Sequence, residues 1–134
     1  MMAGIIALDI GLKRIGVAYS PDGKTAVPLR AVLRKNRNQA ASEVKALLEE
    51  WQAERVVVGI PLGGSSEAEM KRRIEHFMKL VDFGGEVCYV DESGSSKEAE
   101  ELIKGEMRHI RDGRIDSIAA MLILQRYLSS LQSR

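Results

Sequence analysis

The chain reads as an α/β protein. It predicts a mixed five-stranded sheet, the first three strands antiparallel and the others reached by parallel crossovers, with helices on both faces. Three observations predict this. Ile5-Ile6-Ala7-Leu8 and Ile15-Gly16-Val17-Ala18-Tyr19 are nearly continuous apolar runs, the pattern of strands covered on both sides. Arg55-Val56-Val57-Val58-Gly59-Ile60 and Glu86-Val87-Cys88-Tyr89-Val90 have the same character. Elsewhere the apolar residues recur at helical spacing, so strands alternate with helices in the second half of the chain.

The elements follow in order. Pro21-Asp22-Gly23 is a turn that separates the second strand from a third, around Thr25 to Leu33. A helix is expected from about Asn38 to Ala53, with Val44, Leu47, Leu48 and Trp51 as its core stripe. The strand at Arg55–Ile60 ends at Pro61 and Gly63-Gly64. Ser66-Glu67-Ala68-Glu69 is a capping box that opens a helix with Met70, Ile74, Phe77, Met78 and Val81 inward. Gly84-Gly85 turns the chain into the strand Glu86 to Val90. A second capping box, Ser95-Ser96-Lys97-Glu98, opens a helix to about Lys104, and a last helix runs from about Ile115 to Leu131. No repeat, low-complexity tract or linker divides residues 1–134, so one domain is expected.

Composition narrows the class. With 134 residues, 45% hydrophobic and 29% charged, the chain can bury one sizeable core. Its net charge of +1 hides an asymmetry. Lys13, Arg14, Lys24, Arg30, Arg34, Lys35 and Arg37 stand against Asp22 alone between residues 10 and 42. Acids gather later, which predicts one electropositive face and one acidic site or face. The one cysteine, Cys88, lies in a strand, so no internal disulfide can form, as suits a reducing cytosol. Asp9 interrupts the first apolar run too early for a cleavable signal, and no stretch reaches the roughly 18 apolar residues of a membrane span. A cytoplasmic protein is expected.

Three places put carboxylates at the ends of buried elements: Asp9, the pair Asp91-Glu92, and Asp116. A charge at the end of a buried strand needs a partner, and a metal ion is a common one. Strand side chains alternate between faces, so only one of Asp91 and Glu92 can face a shared site. Hard divalent ions prefer such oxygen ligands, and phosphoryl-transfer sites gather several carboxylates around them. Two histidines, His76 and His109, and one cysteine make zinc chemistry a poor fit. No nucleophile elbow surrounds a serine, which argues against a serine triad.

Four stretches resemble the motifs of one family. Asp9-x-Gly11 between two strands is similar to the opening of ribonuclease H-like and actin-like ATPase folds, and 134 residues do not accommodate the two lobes of the latter. Asp9-Ile10-Gly11-Leu12-Lys13-Arg14-Ile15-Gly16-Val17-Ala18 resembles the first motif of the YqgF/RuvX family of Holliday-junction-resolvase-like proteins. Val57-Val58-Gly59-Ile60-Pro61-Leu62 resembles its second, Val90-Asp91-Glu92 the start of its third, and the run from Asp116 to Leu128 its fourth. They occur in order across the chain. The family usually continues its third motif Asp-Glu-Arg-Leu, whereas this chain reads Asp91-Glu92-Ser93-Gly94 and lacks that arginine; Gly63-Gly64 replaces a more polar loop in the second.

The resemblance implies a ribonuclease H-like fold and a nuclease that matures the 5′ end of pre-16S ribosomal RNA. It implies Asp9, Glu92 and Asp116 as the catalytic and metal-holding acids, with Mg²⁺ or Mn²⁺ as cofactor. The expected substrate is structured nucleic acid, held through phosphates by Lys13, Arg14, Arg34, Lys35 and Arg37. Two rivals stand beside this reading. One is a DNA junction resolvase with the same chemistry, and the other is a nucleic-acid-binding module with weak catalysis.

Overall fold

The computed structural model describes residues 4–11, 13–60, 67–91 and 115–132. The strands are β1 (Gly4–Ile10), β2 (Arg14–Ser20), β3 (Val27–Leu33), β4 (Ala53–Ile60) and β5 (Glu86–Asp91). The helices are α1 (Arg37–Glu50), α2 (Glu67–Val81) and α3 (Ile115–Gln132). The sheet order is β3-β2-β1-β4-β5, with β1–β2 and β2–β3 antiparallel and β1–β4 and β4–β5 parallel. This is the expected mixed sheet. The expected helix at Ser95–Lys104 and the capping residue Ser66 lie outside the described residues.

Alternation along the strands divides the core in two. Ile6, Leu8 and Ile10 of β1 join Val56, Val58 and Ile60 of β4 on the face covered by α1 and α2. Val44 and Leu48 of α1 and Ile74, Phe77 and Val81 of α2 complete that layer. On the opposite face Ile5 and Ala7, with Ala18 and Val57, pack under Ala120, Ile123, Leu124 and Leu128 of α3. Ala7, Ala18 and Ala120 are small, so α3 can lie close against β1 and β2.

Local chemistry sets the turns. Gly11 N–H donates to the Arg14 carbonyl at 3.0 Å to close the β1–β2 turn. A Cβ on Gly11 would lie 2.6 Å from that same carbonyl oxygen, so the turn requires glycine. Between β2 and β3 the Asp22 carboxylate accepts from Lys24 N and Thr25 N at 2.9 and 2.8 Å, and from the Thr25 hydroxyl at 2.9 Å. Gly23, at a φ of 75°, occupies the left-handed conformation there.

Two expectations need correction. Helix α1 begins at Arg37 because Asn36 caps it: Asn36 Oδ1 accepts from Gln39 N at 2.7 Å, and Gln39 Oε1 accepts from Asn36 N at 3.2 Å. It stops at Glu50, since Gln52 takes a φ of 52° and Ala53 already pairs with Gly4. Trp51 is therefore the residue that caps the helix end, 38% exposed, with its ring against Tyr19, rather than a core residue.

Candidate active site at the carboxyl end of β1

Asp9 lies on the α3 face of the sheet. It shares that face with Ile5 and Ala7 of β1, which pack under α3, and it is half-buried. Its registered partner across the antiparallel ladder is Gly16. On the other side, the position beyond the Leu8–Val58 pair is Gly59. At both directly facing positions, on β2 and on β4, Asp9 meets a glycine. Asp9 stands at the carboxyl ends of parallel β1 and β4, where α/β sheets place their ligands.

The start of α3 is tied to the strand beside this carboxylate. Ser117 is fully buried, and its Oγ accepts a hydrogen bond from Val17 N at 2.9 Å. Val17 follows Gly16, the residue registered with Asp9. The β2–β3 ladder shifts register between Ile15 and Val17, so Arg30 and Ala31 together oppose Gly16. The hydroxyl of Ser117 meets the strand beside that bulge. Since Ser117 follows Asp116 in the first turn of α3, the bond brings the backbone of Asp116 to the Asp9 end of the sheet.

The remaining acids divide differently. Asp91 is the last residue of β5 and is registered with Ile60. Cys88 and Val90 of β5 pack on the α3 side. Glu92 itself lies outside the described residues, as do the side chains of Asp91 and Asp116. Among the described residues no three His, Cys, Asp or Glu side chains converge. His76 is exposed on α2, and His109 is outside the described residues.

The basic residues near β3 separate into two places. Arg14, Arg30 and Lys35 line a broad groove of about 890 Å³ between β3 and α1. Arg34 and Arg37 instead line a pocket of about 370 Å³ with Arg72, Arg73 and His76 of α2, and Ile10 forms part of its wall. Burial, and after it the like charge of Arg37, holds the Arg34 guanidinium below its ordinary pKa. Lys13 stands exposed in the β1–β2 turn, where its carbonyl accepts from Arg34 N at 2.9 Å.

Sequence reasoning missed Ser117. A serine in the first turn of a helix is ordinary, and its partner is a backbone amide 100 residues earlier. The one signal is its place between Asp116 and the small Ala119-Ala120 pair, where a buried helix face meets a sheet.

A mixed sheet in this strand order, with a carboxylate at the end of its first strand and a helix docked beside it, defines a ribonuclease H-like domain. Solved structures agree. RuvC of T. thermophilus in complex with Holliday junction substrate superposes with a TM-score of 0.58 over 98% of this chain and 96% of that one, at 13% identity. The Holliday junction resolvase of fowlpox virus gives 0.56 over 95% and 99%, at 15% identity. The family model described as "RuvX: Holliday junction resolvase" matches residues 3–130. The chain belongs to the RuvX family.

Relatives in several bacteria carry the description "Putative pre-16S rRNA nuclease". One from Sulfurimonas denitrificans is 65% identical, covering 92% of this chain and 95% of its own length. One from Sulfurovum sp. is 56% identical over 93% and 98%, and one from Helicobacter pylori 47% over 92% and 93%. Among the described residues no helix is long and apolar enough to cross a membrane.

Proposed function

We propose that this protein is a divalent-metal-dependent endonuclease that hydrolyses a phosphodiester bond of precursor 16S ribosomal RNA. The observation that carries this is the setting of Asp9: a half-buried carboxylate between Gly16 and Gly59, beside the pinned first turn of α3. The donor set fits Mg²⁺ or Mn²⁺, because carboxylate oxygens suit hard ions. Asp9, Glu92 and Asp116 would hold the metal. When bound, it supplies positive charge that activates water and stabilises the leaving oxygen.

The chain's own residues do the rest. Asp9 belongs to β1 and Asp116 to α3, and the Ser117–Val17 bond ties α3 to β2, the strand paired with β1. Arg34 and Arg37 attract the phosphates of the same strand without reading its sequence. Glu92 is favoured over Asp91 because it is the acid that matches the family's third motif.

The ribosomal substrate rests on relatives that are 47% to 65% identical over nearly the full chain. A second reading, cleavage of branched DNA, is favoured by the description of the family model. Matched assays separate them. A 5′-extended 16S precursor RNA and a four-way DNA junction are incubated with the protein in Mg²⁺, Mn²⁺ or EDTA. Cleavage of the RNA alone, lost in EDTA, is expected. Preferential cutting of the junction would favour the resolvase, and binding that survives EDTA with no cleavage under either metal would favour a binding module.

A further inference from the structure

The pocket beyond Ile10 concentrates positive charge that the fold does not use. Arg34, Arg37, Arg72 and Arg73 line it against one carboxylate, Glu69, which is already bound to Arg73 at 2.6 Å. Arg34 is fixed in place: its Nη1 donates to the Gly11 carbonyl at 2.9 Å, and its guanidinium stands 5.3 Å from the Phe77 ring centre. A carbonyl and an aromatic face orient this cation and leave its charge uncancelled. Arg37 and Arg72 enter no ion pair among the described residues. Like charges gathered in one concavity repel unless an anion joins them.

We propose that this pocket is a phosphate subsite, separate from the acids, which grips a backbone phosphate flanking the one that is cut. The inference rests on the nuclease reading for the identity of the strand. The placement supports it. Ile10 walls the pocket and is the neighbour of Asp9, so the two lie back to back at one end of β1. The Gly11 carbonyl that orients Arg34 follows in the same turn. A strand lying across the carboxyl end of β1 can therefore reach both. The lining also selects phosphate over base. Phe77 is buried beneath Arg34, so its ring is closed to stacking, and forked guanidinium donors match phosphate oxygens.

The test uses the full chain in EDTA, where binding is read without cleavage. The probe is a synthetic RNA spanning the precursor cleavage point, with one uncharged methylphosphonate placed in turn at each linkage. The double variant Arg37→Ala, Arg72→Ala changes two exposed residues, and Lys71→Ala, Lys79→Ala on the same helix is its control. The subsite predicts that the double variant lowers the slope of log affinity against log salt by about two, and affinity roughly tenfold, while the control does neither. It further predicts one linkage beside the cleavage point whose methylphosphonate weakens the parent but not the double variant. Equal losses in variant and control, or methylphosphonate effects that add to the variant's at every linkage, would overturn it. Coupling at one linkage without cleavage by the parent would uphold the subsite and sink the nuclease reading. Cleavage without coupling would do the reverse.

Discussion

The buried hydroxyl of Ser117 accepts the amide proton of Val17 at 2.9 Å, joining residues 100 positions apart in the chain. Val17 stands next to the glycine registered with Asp9, and Ser117 stands next to Asp116. This hydrogen bond thus ties the helix that carries Asp116 to β2, the strand paired with the one that carries Asp9. In the proposed metal site, a small displacement of α3 would change the distance between Asp116 and Asp9.

Replacing Ser117 by Ala leaves the Val17 amide buried without a partner, which costs about 1–3 kcal/mol. The melting temperature should fall, and the Val17 amide should lose protection against hydrogen exchange more than its neighbours. Cleavage should drop through kcat with little change in KM, because the acids shift while the phosphate contacts do not. Unchanged exchange at Val17 would show that the bond contributes nothing.

Gly11→Ala places a methyl group 2.6 Å from the Arg14 carbonyl, at the turn that also orients Arg34. Overpacking of this kind costs about 1–3 kcal/mol. Thermal unfolding should show the loss, and RNA binding in EDTA should weaken as the Arg34 contact shifts. A variant as stable as its parent would mean the turn tolerates a side chain.

Asp22 offers a pH test at the opposite end of the sheet. Hydrogen bonds from Thr25 N, then Lys24 N, hold its carboxyl down to about 2. A carboxyl lowered on folding stabilises the protein above its unfolded value, near 3.9, and that contribution fades as pH falls toward 2. The melting temperature of the parent should therefore exceed that of Asp22→Asn at pH 6, and the difference should shrink between pH 4 and 2. A difference that stays constant down to pH 2 would contradict the assignment.

Much of the fold was legible because its strands announce themselves. Ile5–Leu8 and Arg55–Ile60 are covered on both faces, and only buried strands tolerate such runs. Asp9 stands out for the complementary reason, a charge where the pattern demands an apolar residue. Trp51 was misread because helical spacing continues through it, while the chain leaves the helix one residue later at Gln52. The basic run could not be parsed from sequence alone. Arg34 and Arg37 meet the arginines of α2, whereas Lys35 joins Arg14 and Arg30, since the chain turns from β3 into α1 between them. Ser117 was silent because its partner is a backbone group.

The central claim is that Asp9 anchors a metal at a hydrolytic site, and Asp9→Asn tests it most directly. The substitution keeps the side chain's size and removes its charge. Cleavage of the 16S precursor in Mg²⁺ should fall at least about a hundredfold, as expected when a charge that stabilises the transition state is lost. Binding to the same RNA in EDTA should stay close to the parent's, because phosphate affinity comes from lysine and arginine. Mg²⁺ or Mn²⁺ should raise the melting temperature of the parent more than that of the variant. A variant that cleaves near the parent's rate would contradict the account.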